Sequence, residues 1–206
     1  MRYLLCSVPL LFTHCASDYK YMQTVESNPA CISKLAPDQF QTSWYHASVD
    51  VVGNHISGLL LVKNMPDSSH RVVFTNEVGM TFFDFGFSRN GEFQVFNIIN
   101  QLDRKPIINT LRMDFELILG LHFRNASYEV KTRDGELFYG VRQKNETAYF
   151  ITTKDCASLR RLELGSARKR KVTVHVTGNG YPRPDKIELL HNTFNMQIKL
   201  TRFEKE

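Results

Sequence analysis

Past its N-terminus the chain lacks any apolar run of eighteen residues, which excludes a helical multispan membrane protein. It has no Gly-x-Ser-x-Gly elbow, no glycine-rich phosphate loop and no HExxH helix, so the signatures of common acyl hydrolases, nucleotide-dependent enzymes and zinc proteases are missing. Seven histidines stand at His14, His46, His55, His70, His122, His175 and His191, none at ligand spacing from another or from a cysteine pair. That scatter predicts no metal site and no cofactor, and with no catalytic constellation in view the chain reads as a non-enzyme. Charge of one sign is also scarce: 26 basic residues stand against 21 acidic ones, for a net +5. Such an excess permits attraction to an anionic surface, but no nucleic-acid module accompanies it, so nucleic acid is not an expected partner. Internal repeats are absent too.

What the chain does have is aromatic and alternating. Of 206 residues 12% are aromatic, and 15 are Phe. From Tyr45 to Ile99 apolar residues recur with period two between turn residues, which predicts five consecutive antiparallel strands. Gly53-Asn54, Pro66-Asp67-Ser68-Ser69 and Arg89-Asn90-Gly91 are the expected turns. In Leu59-Leu60-Leu61-Val62 and in Phe82-Phe83-Asp84-Phe85-Gly86-Phe87 both faces are apolar, and the expectation is a strand covered from both sides. Asp84 inside the Phe run reads as a bulge or edge device rather than a catalyst.

The pattern then changes period. Ile107, Leu111, Phe115, Ile118 and Leu119 follow helical spacing, with Asp103 as the expected N-cap, Pro106 in the first turn and Gly120 as the stop. After this helix seven more strand segments follow, from about Tyr128 to Thr201, marked by Asp134-Gly135 and Gly178-Asn179-Gly180 turns. An amphipathic helix needs an apolar partner, and the concave face of the sheet supplies it. The expected fold is therefore mainly β: a single curved antiparallel sheet of about 11–12 strands, forming a half-open barrel wrapped over one central helix. If Phe83, Phe85 and Phe87 face Leu111, Phe115 and Ile118 across that barrel, the two stripes either fill it or line a pocket for acyl chains.

The N-terminus carries a different signal. Met1 to Cys15 has a basic start, a short apolar segment and a cysteine, the layout of a bacterial lipoprotein signal peptide, although Phe12, Thr13 and His14 replace the usual small residues. This divides the chain into a signal peptide at 1–14, a lipidated tether and irregular approach at 15–40, and a barrel domain at 41–206. An ordinary secretory peptide cleaved nearby, or an uncleaved apolar tail, are the alternatives. If Cys15 carries lipid, Cys31 and Cys156 remain, and an oxidising compartment favours pairing them; two buried thiols are the other outcome. Arg168-Lys169-Arg170-Lys171, with Arg160-Arg161 upstream, is the one dense positive cluster, read as a solvated hairpin end.

Arg71-Val72-Val73-Phe74-Thr75-Asn76-Glu77-Val78-Gly79-Met80-Thr81 resembles the segment of the outer-membrane lipoprotein receptor LolB that forms a protruding loop between two strands. Leu117-Ile118-Leu119-Gly120-Leu121 is similar to the segment that ends that family's mid-chain helix. Glu77 stands where the family has Pro, and Val78 replaces a Leu. The resemblance implies an open barrel with a helical lid that shelters acyl chains of a lipoprotein or lipid, with Val78 and Met80 as its membrane or cargo loop. It also implies a monomer, anchored in the outer membrane through Cys15 and facing the periplasm, that receives cargo from a periplasmic carrier protein. Ala16 after the anchor, where an Asp would signal inner-membrane retention, fits the outer membrane. The rival expectation is an envelope interaction or assembly lipoprotein of the same build with a filled core.

Overall fold

The computed structural model describes residues 17–26, 30–32, 40–51, 53–124, 126–178 and 181–204. The signal peptide at 1–14 and the anchor Cys15 lie outside the described residues. One antiparallel sheet of 13 strands contains every strand described. After the two-residue β1 (Gln23–Thr24) come β2 (Ser43–Val51), β3 (Asn54–Asn64), β4 (His70–Thr75), β5 (Thr81–Phe87) and β6 (Phe93–Ile98). A single long helix, α1 (Lys105–Ile118), precedes β7 (Glu129–Arg133), β8 (Glu136–Gln143), β9 (Glu146–Thr153) and β10 (Leu159–Gly165). The sheet continues through β11 (Arg170–Thr177) and β12 (Lys186–His191) to β13 (Met196–Phe203). In space the order is β1-β7-β8-β9-β10-β11-β12-β13-β2-β3-β4-β5-β6, so β13 pairs with β2 and the two chain halves become one surface. Edges remain at β1 and β6, which leaves the barrel open.

Alternation produces the strands. In β4 the buried residues are His70, Val72 and Phe74, and in β5 they are Phe83, Phe85 and Phe87; the intervening positions face out. The Phe82-Phe83 doublet has a different cause from the two-sided cover expected of it. Phe74 pairs with Phe83 and Thr75 with Thr81, so Phe82 is the extra residue of a β-bulge, and the kink turns both rings inward. A second bulge, between Asp84 and Phe85, leaves Phe96 of β6 unpaired. Its ring lies over Gly86, where any Cβ would meet it at 2.7 Å, and under the Arg71 guanidinium at 4.4 Å. Asp84 sits beside that bulge and accepts two bonds from Arg71, at 2.7 and 2.6 Å.

α1 lies inside the curve with Leu111, Asp114, Phe115, Leu117 and Ile118 buried. Its N-cap is Arg104, in extended backbone and with no side-chain bond, and Asp103 stands one residue too early to cap. The C-terminus matches the expected stop: Leu119 is the cap and Gly120 takes the left-handed conformation at φ 66. Phe115 packs its ring 5.7 Å from that of Phe83, and the Tyr181 hydroxyl donates to the Ile118 carbonyl at 2.8 Å.

The supposed tether is partly structure. Asp18 N–H donates to the Arg168 carbonyl at 2.9 Å, and its carboxylate accepts the Arg170 N–H at 2.8 Å. Tyr19 and Met22 then cover a separate apolar cluster of Phe138, Tyr149 and Ile151 on the outer face of β8 and β9. Cys31 and Cys156 are joined in a disulfide with Cα atoms 5.5 Å apart.

Candidate functional site

Between α1 and the sheet lies an apolar cavity of about 220 Å³. Val49 and Val51 of β2, Ile56 of β3, Phe74 of β4 and the bulged Phe82-Phe83 of β5 form one wall. Leu102, Pro106, Ile107, Thr110 and Leu111 form the helical wall, and Phe194 and Met196 close the third side. Thr110 is the only polar side chain among these, and its hydroxyl already donates to the Pro106 carbonyl at 2.9 Å. The walls therefore offer a ligand contact area and almost no hydrogen bond. Only a chain with nothing to hydrogen-bond enters such a space without loss. At this volume, below the roughly 300–1,000 Å³ of drug-sized ligand pockets, the cavity, open on one side, suits part of one acyl tail.

Of the six residues expected to line such a space, Phe83 and Leu111 do so. Phe85, Phe115 and Ile118 are fully packed in the core. Phe87 is also buried, at the other end of β5, beside a polar cleft lined by Arg71, Glu92 and Arg112. Stripe periodicity selects the inward face but not the height along it, and that is why half the set belongs to the core. Phe82, Phe194 and the β2 valines were not anticipated. The Phe82-Phe83 doublet was the available signal for a bulge; Phe194 heads the alternation of Met196, Ile198 and Leu200 but falls in the short connection just before β13.

The Val78 loop springs directly from the cavity wall, since it begins after Phe74-Thr75 and ends at Thr81-Phe82. Asn76 braces it from inside: its N–H donates to the Met80 carbonyl at 2.9 Å, and its Oδ1 accepts the Met80 N–H at 2.8 Å. Gly79, at φ 88, closes the turn in a conformation that a side chain would strain. The result is a short rigid tip with Val78 88% exposed and Met80 51% exposed, while Phe194 across the cavity is 42% exposed. Displayed aliphatic residues on a braced turn serve no folding purpose.

Half of the basic cluster is committed to partners. Arg161 bonds both Glu136 oxygens at 2.8 and 2.9 Å and Glu163 at 2.6 Å, Arg170 reaches Glu163 at 3.1 Å, and Lys171 pairs with Glu146 at 2.5 Å. Arg160, Arg168 and Lys169 are exposed.

Inside the apolar stripe of α1 one residue breaks the pattern. Asp114 is 1% exposed, and His191, at the end of β12, places Nε2 3.0 Å from its carboxylate. Burial pushes the Asp114 carboxyl above the usual carboxylate range, against the opposing pull of His191. Nothing in the local sequence marks the pair, whose members are 77 residues apart.

No protein-family model and no curated protein sequence matches the chain. Solved structures do match its fold. A LolA superfamily protein from Nitrosomonas europaea aligns over 87% of this chain and 93% of its own, with a TM-score of 0.54 at 9% identity. A DUF1329 family protein from Desulfovibrio piger aligns over 82% and 86% at a TM-score of 0.37 and 8% identity. A domain from Vibrio parahaemolyticus named for outer-membrane lipoprotein sorting covers 79% and 83% at 0.39 and 6% identity. The first likeness shows the fold: this chain is an open, LolA-like barrel over a helix. The other two superpose too loosely to add to that.

Proposed function

We propose that the chain is a lipid-anchored envelope protein that binds the acyl chains of a lipoprotein or lipid in the cavity under α1 and passes them on in outer-membrane biogenesis. The observation that carries this is the joining of an apolar cavity with no free polar group in its wall to a rigid loop that displays Val78 and Met80 at its edge. Each acyl CH₂ moved from water into such a cavity contributes about 0.8 kcal/mol. No chemistry is required of the site, and the role is that of a binder rather than an enzyme. The anchor is Cys15, on the periplasmic face of the outer membrane, with a periplasmic carrier as the delivering partner. Because Asp18 is bonded to the β10–β11 turn, only two residues, Ala16 and Ser17, separate the anchor from the docked Asp18, a reach of about 10 Å. The body is thus held at the membrane and not on a long tether.

A Thr110→Trp variant tests the cavity. It adds bulk at a half-exposed helix position and fills the space without removing core atoms. A fluorescent fatty acid should bind the wild-type domain and lose at least tenfold in affinity for the variant, with the thermal midpoint kept. Equal binding by both would place the lipid elsewhere. No binding by either would leave an envelope interaction protein with a filled core, in keeping with the packed Phe85, Phe115 and Ile118.

A further inference from the structure

We propose that Asp114 and His191 are positioning residues that hold α1 over the cavity and set Phe194 at its mouth, so that protonation of Asp114 governs access. This rests on the reading of the cavity as the acyl site. Three contacts form one chain of parts. Leu111, one turn before Asp114, lines the cavity; Asp114 is tied to His191; and the His191 ring packs 4.4 Å from that of Phe194, which lines the cavity from the other side. Leu111 and Phe194 cannot separate to admit a wider chain unless the Asp114–His191 contact stretches or breaks.

The pair is poorly suited to being mere glue. The two groups are 1% and 6% exposed in side chain, and His191, with Nε2 3.0 Å from both Asp114 oxygens, is the one side chain that holds the carboxyl among the described residues. An apolar pair in the same place would hold the helix at least as well, because desolvating two charges commonly cancels their attraction. What an apolar pair would lack is response to protons.

No other charged group acts on Asp114. Arg112 and Glu116 on α1 are bonded to each other at 2.7 Å. Glu163 of β10 and Lys171 of β11 stand on the outer face and are held by Arg161 and Glu146 respectively. The sign of the response follows from burial. In the closed helix Asp114 keeps its proton to higher pH than it would in water. Closure is therefore fully favoured below the ordinary carboxylate range and weakens as pH rises from there through the buried carboxyl's range, where the closed form must either give up its proton or keep a buried charge.

The test is hydrogen exchange of the α1 amides across the pH range, expressed as protection factors so that intrinsic exchange cancels. Wild-type protection is expected to fall with rising pH by up to about tenfold per unit, the slope of one proton. Asp114→Asn, which mimics the protonated side chain, should abolish that slope and hold entry of a fluorescent fatty acid at its slow, low-pH rate at every pH. Should Asp114→Asn not fold, His191→Gln, which removes the ring that holds the Asp114 carboxyl, must show a changed slope. A slope shared by wild type and the folded variant, or α1 protection indifferent to pH, overturns the proposal. Because exchange needs no lipid, this result stands apart from whether the cavity binds an acyl chain at all.

Discussion

The two walls of the barrel are built to different standards. The wall of β8 to β10 is sealed from both sides: Val141, Phe150, Leu162 and Leu164 face the core, while Phe138, Tyr149 and Ile151 lie beneath Tyr19 and Met22 on the outside. Charges there are cross-linked through Glu163 and Glu136, and the disulfide ties residue 31 to the β9–β10 connection. The wall of β2 to β6 is different. Its inner face borders a cavity, and its turn and edge expose Val78, Met80, Val95 and Phe96. A protein that must open on one side gains from concentrating its stability on the other, because local opening draws on the least protected elements. The contrast teaches where to look for function: in the wall that folding alone would have packed better.

The strongest way to break the contrast is to cut the sealed wall. The disulfide closes a loop with sequence separation 125, for which the chain-entropy model gives about 5 kcal/mol. A Cys31→Ala/Cys156→Ala protein should lose most of that, read as a lowered urea midpoint. A midpoint within error of wild type would mean that the sealed wall does not depend on the link.

His70, at the foot of the looser wall, gives the next largest effect, and it depends on pH. Burial first, and then the neighbouring Arg124 guanidinium, hold this imidazole down at about 4. The unfolded side chain titrates near 6.5, so the unfolded chain binds more protons between those values. The stability contributed by the neutral imidazole is present in full above about 6.5 and is lost as pH falls toward 4, by about 3 kcal/mol. His70→Gln should flatten that slope in urea melts at about pH 8 and about pH 4. An unchanged slope would assign the acid sensitivity to another group.

Tyr19 then sharpens the comparison from outside. Its ring packs 4.9 Å from Tyr149 and reaches a slot beside Gly165, where a Cβ would clash with the Tyr19 hydroxyl at 2.4 Å and so could not be accommodated. Tyr19→Ala removes a half-buried aromatic and should cost about 2 kcal/mol. Limited proteolysis should then cut ahead of β1 first. If cleavage instead begins in β4 to β6, the outer cluster is not what seals its wall.

How much of this was legible depends on the kind of signal. The twelve long strands and α1 stand out because alternation and helical spacing persist over five or more residues and end at residues such as Gly53, Gly91 and Gly120. Tyr19 was hidden because a polar segment whose aromatics follow no period reads as a tether, and β1, with only Gln23 and Thr24, has no period at all. The cavity was half visible. Phe83 and Leu111 follow from their stripes, but which stripe residues touch each other and which leave a gap depends on a bulge at Phe82 and on the tilt of α1. Asp114–His191 was not visible, because a long-range polar pair has no local pattern.

The smallest expected effect on stability belongs to Val78, and it separates the two walls most cleanly. Val78 is 88% exposed at the tip of a turn whose bonds run through Asn76 and the main chain, so its side chain supports nothing. Val78→Glu should therefore leave the urea midpoint within about 0.5 kcal/mol of wild type, as surface changes away from special features do. The same exposure makes the residue available to a bilayer, where burying a Val side chain contributes about 1.5 kcal/mol at most, or roughly tenfold in partition. A charged Glu there would oppose insertion. The expected outcome is a stable protein that binds a fluorescent fatty acid normally but delivers it to liposomes about tenfold more slowly. Loss of several kcal/mol would show Val78 to be packed after all. Normal delivery by a stable variant would move the point of membrane contact elsewhere, to Phe194 on the opposite side of the cavity mouth.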